Sequence, residues 1–403
     1  MFRIILASVC IWLLFPVCGY GKTGEGRLDL HFSFFGDSVK IQQEHWRFAD
    51  FSRPLSAASI RAFYDSLNAS GCQPIIDALL AFREKNQLSD WLYYQLIRKT
   101  AQQLSPKNEN YHRYTLYKWF LLNKSGYNAT LAIRGDILLF YVQSDDNIYD
   151  IPYYQKDNKQ FVCLNYHDYG KIDFGAGEPV EVQVPIPEGK NAFSYKVTRM
   201  PEFSDADYAE KDIQFDYKNK SYLFRIKVNS QVPALFANYP VVDYESYFNI
   251  PLSKETYNTL IPELRQTVKG MSQRRGVDYL MRFTRNAFPY ESDQEHFGKE
   301  KHLSPEQTLL TPYSDCDDRA ALFFCLVKEI YNLPMIVLLY PHHVTIAVNF
   351  DKPVGQPIQY KNKTYSVCEP TPQAEDLSVG ELASTLRDLP FQVAYAYDPA
   401  PER

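Results

Sequence analysis

The chain has 403 residues, 45% hydrophobic and 15% aromatic, enough apolar side chain to build more than one packed core and to exclude disorder over most of its length. Its 43 Lys+Arg stand against 48 Asp+Glu, a formal charge of -5, so it lacks the basic footprint that nucleic-acid or polybasic membrane binding requires. The 31 Tyr and 26 Phe are read as strand and core filling rather than as sugar-stacking platforms.

Met1-Phe2-Arg3, the apolar run Ile4 to Phe15 and the permissive Val17-Cys18-Gly19 read as an export signal over residues 1–21. The apolar run is too short for a spanning helix, and no later stretch approaches the roughly 20 apolar residues one needs. Export implies a periplasmic or extracellular protein. Cys18 offers the alternative of a lipid anchor, with the bulky Val17 before it standing against that processing.

An α+β fold is expected beyond the signal. Residues 22–169 read as a first α+β domain: a strand over Arg27 to Phe35, helices over Ala57 to Leu67, Ile75 to Lys85, Asp90 to Leu104 and Tyr111 to Asn123, then strands over Ile133 to Gln143 and Phe161 to Tyr166. Residues 170–253 read as a β-rich middle segment, with strands over Ala192 to Val197, Asp212 to Tyr217 and Tyr222 to Val228 and a hairpin turn at Asn219-Lys220. Residues 254–403 form a last domain. It has helices over Glu255 to Lys269, Val277 to Asn286 and Asp315 to Tyr331, a polar loop from Pro289 to Thr311, and strands over Met335 to Leu339, Val344 to Phe350 and Thr364 to Cys368.

The order helix, strand, strand, strand thus occurs twice. At an offset of 206 residues, Arg319, Leu322 and Val348 fall on Arg113, Leu116 and Val142 without a gap, and Phe323, Leu326 and Leu339 fall on Tyr117, Phe120 and Ile133. After a two-residue slip, Lys363-Thr364-Tyr365 falls on Lys159-Gln160-Phe161. Two readings follow: a duplicated fold whose first copy has lost its chemistry, or an unrelated domain sharing an apolar helix followed by strands.

Five cysteines lie beyond the signal: Cys72, Cys163, Cys316, Cys325 and Cys368. An odd number in an exported chain leaves at least one thiol outside any internal disulfide. Cys316 stands at the head of a long apolar helix, where free N–H groups and the helix dipole lower a thiol's pKa and stabilise an oxyanion. Asp315, Asp317 and Asp318 act against thiolate formation, so a histidine partner is required. His342-His343 opens a strand 27 residues beyond Cys316, and Glu369 closes another 26 further on. Imidazole can take the thiol proton while the carboxylate fixes its tautomer. Strand alternation sets His343, Thr345 and Ala347 on one face and His342, Val344 and Ile346 on the other, more apolar one.

Tyr313-Ser314-Asp315-Cys316-Asp317-Asp318-Arg319-Ala320, His343-Val344-Thr345-Ile346-Ala347-Val348 and Glu369-Pro370-Thr371 together resemble the transglutaminase-like superfamily over about Pro289 to Thr371. The family sets a cysteine at the head of a helix and a histidine and an acid on adjacent strands of a papain-like core. Ser314 stands where glycine is usual, and Glu369 where aspartate is commoner. The resemblance implies a Cys316-His343-Glu369 triad acting on amide or peptide bonds of a protein or peptide substrate. Hydrolysis is expected over cross-linking, and the other reading is a non-catalytic binding or assembly module of the cell envelope that keeps the fold.

Competing chemistries are weaker. Asp315, Asp317 and Asp318 lack the following glycine and distal glutamate of a calcium loop. Cys316 with His342 and His343 lacks the spacings of a zinc site. Cys325, among Phe323, Phe324 and Leu326, is a core residue. No phosphate-binding loop, dinucleotide fingerprint or serine elbow is present, so no cofactor is implied.

Overall fold

The computed structural model describes residues 25–52, 54–170, 172, 178–291 and 301–400; the expected export signal, Cys18 included, lies outside them. The chain is mixed α+β with two curled five-stranded sheets. In chain order come a hairpin of β1 (Glu25–Phe34) and β2 (Asp37–Arg47), then helices α1 (Ala57–Ala69), α2 (Gln73–Lys85), α3 (Asp90–Leu104) and α4 (Tyr111–Lys124). Strands β3 (Ala129–Arg134), β4 (Ile137–Gln143), β5 (Ile148–Tyr149), β6 (Tyr153–Lys156), β7 (Lys159–Cys163) and β8 (Val180–Val182) follow. A second hairpin of β9 (Tyr208–Tyr217) and β10 (Lys220–Asn229) leads into α5 (Val232–Leu235), β11 (Val241–Val242), α6 (Tyr244–Phe248), α7 (Lys254–Val268), α8 (Gln273–Asn286), α9 (Pro305–Leu310) and α10 (Cys316–Tyr331). The chain ends in β12 (Met335–Tyr340), β13 (His343–Asn349), β14 (Ile358–Tyr360), β15 (Lys363–Cys368) and β16 (Gln392–Tyr397).

Two expected strands turn out differently, and the expected polar loop from Pro289 to Thr311 holds α9, started by the Ser304–Gln307 capping box and largely buried. Ile133 to Gln143 is broken by Gly135, whose positive φ of 56° turns β3 back on β4. Ala192 to Val197 joins no strand ladder, because its N–H groups find other acceptors: Ser194 N–H donates to Asp90 Oδ2 at 2.9 Å and Tyr195 N–H to Asp146 Oδ2 at 2.6 Å. The residues read as a middle segment divide between their neighbours. β8 pairs with β3 in the first sheet, and β9–β10 packs against α7 and α8.

The two sheets have the same connectivity. Their orders are β6-β7-β4-β3-β8 and β14-β15-β13-β12-β16, each preceded by a long buried helix, α4 or α10. The registers coincide as well. Ala129 faces Val142 and Arg134 faces Ile137 in the first sheet; Met335 faces Val348 and Tyr340 faces His343 in the second, each residue 206 positions on. In the next pairs Val142 faces Val162 and Tyr154 faces Phe161, against Val348 facing Ser366 and Ile358 facing Tyr365. Even the turns correspond, since Asp157-Asn158 and Lys361-Asn362 both take positive φ at two successive residues. Because slipping a strand by one residue reverses its faces, this agreement over four strands places matching side chains on matching faces.

One apolar core runs through both halves, with a small satellite cluster on the outer face of each sheet. Trp91 in α3 donates its indole N–H to the Leu235 carbonyl of the second half at 3.1 Å, and β5 pairs with β11. Helices α8 and α10 meet at Gly276, where an added Cβ would lie 1.6 Å from the Tyr331 hydroxyl and would push that side chain aside. No described helix is long and apolar enough to cross a membrane.

Leu116 and Leu322, at matching places in α4 and α10, are both fully buried. Leu116→Ala and Leu322→Ala should each lower the unfolding free energy by about 2–5 kcal/mol in urea titrations. A loss near zero at either position would mean that its helix is not a core element.

Candidate active site

Helix α10 begins with five consecutive side chains, each holding a different part of the site. Asp315 is the N-cap, its Oδ1 accepting from Asp317 N–H at 3.1 Å and Asp318 N–H at 3.3 Å. Cys316 follows in the first turn, half-buried, whereas Cys72, Cys163, Cys325 and Cys368 are buried. Asp317 takes the thiol: Cys316 Sγ donates to its Oδ1 at 3.2 Å. Asp318 accepts from Leu303 N–H at 2.8 Å and from the Tyr247 hydroxyl at 3.1 Å, which fixes the loop in front of the helix. Arg319, fully buried, donates to the carbonyls of Thr284, Arg285, Phe288 and Pro289 at 2.6–3.1 Å and ties the end of α8 to the same turn.

His343 opens β13, and Glu369 follows β15. These strands are hydrogen-bonded neighbours, which brings the two side chains together: His343 Nε2 lies 2.7 Å from Glu369 Oε2. The other carboxylate oxygen accepts Thr371 N–H at 2.8 Å, and Arg285 holds the Glu369 carbonyl at 3.2 Å, so the acid is fixed at both ends. With the carboxylate accepting from Nε2–H, Nδ1 is the basic nitrogen of the neutral ring. His342, in the turn before the strand, is exposed.

The thiol lies against the next residue of the same strand, the Val344 N–H tending to lower its pKa. Among the described residues no hydrogen bond joins Cys316 to His343, a departure from the expected contact. The sulfur's hydrogen bond goes instead to Asp317, which lies one residue along the same helical turn.

Charge at the site opposes thiolate. Burial is the largest influence on Cys316 and pushes its thiol well above the usual range, and the carboxylates of Asp317 and Asp315 add to the rise. For His343, burial acts to lower the pKa but is outweighed by the Glu369 hydrogen bond and the charges of Glu369, Asp317 and Asp315, so the net shift is upward. The resting site therefore favours a neutral thiol beside an imidazole that holds its proton to higher pH than free histidine.

His302 is a member of the site that the sequence reading left inside a polar loop. Its Nε2 lies 3.3 Å from Asp317 Oδ2, and its ring stacks on Tyr247 at 4.4 Å. Burial acts to raise the Asp317 pKa, yet the hydrogen bond and charge of His302 bring it below the usual carboxylate range. No local motif marks His302; the only hint is that a histidine precedes the Ser304-x-x-Gln307 capping box of α9. The same histidine walls a cavity of about 710 Å³ between the halves, whose other sides include Trp91, Tyr166, Tyr195 and Tyr239.

The ligand atoms of Asp315, Cys316 and Asp317 lie within 4.8 Å of one another, close enough to share a cation. Asp315, however, already caps the helix through Oδ1, and His343 is turned to Glu369, so the group differs from both the calcium loop and the zinc set considered from sequence.

Comparison with protein-family models, with curated proteins and with solved structures finds no match to this chain.

Replacing the carboxylate by Glu369→Gln removes the main upward influence on His343. The imidazole should then titrate at lower pH than in the wild type, measured by NMR of the ring protons. Because the folded pKa is raised, the pair's contribution to stability is complete below the unfolded value of about 6.5 and disappears as pH rises through the folded value. The stability gap between wild type and Glu369→Gln should therefore narrow with rising pH; a constant gap would show that the pair is not coupled by charge.

Proposed function

We propose that this chain is an exported cysteine enzyme of transglutaminase-like type that cleaves amide or peptide bonds through Cys316, His343 and Glu369. The observation that carries the reading is the 2.7 Å bond between His343 and Glu369, set by neighbouring strands, with the next backbone N–H against a thiol at the start of a helix. Matching strand order and register support the further reading that residues 22–169 hold a degenerate copy of this fold. There Asn110, Ile137 and Asn165 stand where Cys316, His343 and Glu369 stand in the second half.

In the reaction, Nδ1 of His343 takes the thiol proton as Sγ bonds to the substrate carbonyl carbon. The Cys316 N–H, ahead of the two that Asp315 caps, stabilises the oxyanion. The imidazolium then protonates the leaving amine as the carbon–nitrogen bond breaks, and water, deprotonated by the same ring, releases the acid from the thioester. Glu369 remains ionised and holds the imidazolium. Since the local carboxylates disfavour a standing thiolate, proton transfer accompanies attack rather than preceding it.

A second reading, a binding module that keeps the fold without catalysis, is favoured by one observation. The thiol is engaged by Asp317 and not by His343.

Alkylation separates the two. Iodoacetamide should modify Cys316 ahead of the four buried cysteines, His343→Ala should slow it, and Asp317→Asn should speed it several-fold at neutral pH by removing both the acceptor and the charge. Release of new amines from a panel of synthetic peptides should disappear in Cys316→Ser. Addition of monodansylcadaverine tells hydrolysis from transfer by whether the amine is incorporated. Slow, equal labelling of all cysteines together with no amine release would leave the binding module.

A further inference from the structure

The first half keeps polar chemistry where its catalytic residues would stand. Asn165, counterpart of Glu369, donates to the Tyr111 hydroxyl at 2.9 Å; that hydroxyl donates to Asp168 Oδ2 at 2.9 Å; and Lys107 reaches Asp168 Oδ1 at 2.6 Å. Lys107 also lines a cavity of about 560 Å³ between α3, the tip of the first hairpin and the start of α5 in the second half. Arg98 and Lys99 of α3, with Gln95 and Gln102 on the same helix, form its polar wall.

This wall carries more positive charge and more free donors than the protein satisfies. Lys99 has no hydrogen bond or ion pair among the described residues. Gln95 accepts from Arg98 Nη1 at 2.8 Å, and its own Nε2 is buried without an acceptor. Behind Tyr114, which lines the cavity, Lys118 is 1% exposed and holds its ammonium 4.5 Å from that tyrosine's ring. The carboxylates nearby are committed elsewhere: Asp168 to Lys107, His167 and Tyr111, and Asp207 to the backbone of Ser204. Burying cations without counter-charge is costly, and an anion in the cavity relieves the cost.

We infer that this cavity binds a small polyanion of the phosphate or sulfate class, held by Arg98, Lys99 and Lys107 with Gln95 and Gln102 as neutral donors. Arg98 supplies a planar fork suited to two oxyanion oxygens, and the lysines supply point charges. The inference does not depend on the cysteine chemistry proposed for the second half.

Binding should take up protons. Burial pushes the Lys118 ammonium down to about 7, Arg98 and Lys107 press in the same direction, and Asp168 and Cys163 oppose them. His167 is also drawn down by burial, so it supplies little positive charge near neutrality. An anion facing Tyr114 favours charged Lys118, and affinity falls as pH rises above neutrality.

The test is calorimetry on the full chain at low ionic strength. Inorganic pyrophosphate should bind at one site, and Lys99→Gln or Arg98→Gln should weaken it about tenfold or more while leaving Cys316 alkylation unchanged. Sulfate, which has no proton to exchange near neutral pH, should bind with proton uptake in buffers of different ionisation heat, and Lys118→Met should bind without it. Sedimentation with phosphatidylglycerol vesicles that pyrophosphate displaces would assign the anion to a lipid headgroup; pyrophosphate binding without sedimentation would assign it to a free solute. No saturable binding of pyrophosphate or sulfate at millimolar concentration, or equal affinity in Lys99→Gln, overturns the inference.

Discussion

The first turn of α10 is the constraint on which the second half is organised. A helix end leaves backbone N–H groups without partners, and here Asp315 satisfies two of them while the next four side chains reach outward in four directions. Asp318 and Arg319 are fully buried and bond chiefly to main-chain groups, so they draw the loop near Leu303 and the end of α8 onto the same turn. A buried guanidinium with five carbonyl acceptors has little freedom to move without leaving its charge unsatisfied. The thiol between these anchors is therefore held in place by groups that take no part in its chemistry.

The same turn creates the site's main electrostatic tension. Asp315 and Asp317 are needed for the cap and for His302, yet both raise the thiol's pKa and support the proton on His343. An isolated cysteine at a helix start would have its thiolate favoured by the dipole. Here burial and two carboxylates prevail over it, which makes the position of the proton, rather than the position of the sulfur, the quantity that decides reactivity.

The two halves share one plan of sheet order and register, with different contents. The sheet order and register are shared, but Tyr111, Asn165 and Asp168 form a closed hydrogen-bond chain where the second half has Cys316, His343 and Glu369 nearby. The halves also share one apolar core and close two cavities between them, one walled by His302 and the other by Arg98, Lys99 and Lys107. The first half, with Asn110 at the position matching Cys316, helps to shape both cavities.

By itself the sequence determined the α+β composition and seven of the ten described helices, suggested the 206-residue correspondence, and singled out Cys316, His343 and Glu369 as candidates. These are legible because helix periodicity, capping and strand alternation are local properties written in adjacent residues. Local pattern failed at Ala192 to Val197, where two distant aspartates, Asp90 and Asp146, take the N–H groups that a ladder would have used. It also passed over His302, whose meaning depends on Asp317 and Tyr247, 15 and 55 residues away. Only the tertiary structure decided that Asp317 rather than His343 receives the thiol's hydrogen bond, and that α3 leaves its cations facing a cavity. Both outcomes depend on which groups compete for one donor or one charge in space, and that competition is among residues the chain does not place side by side.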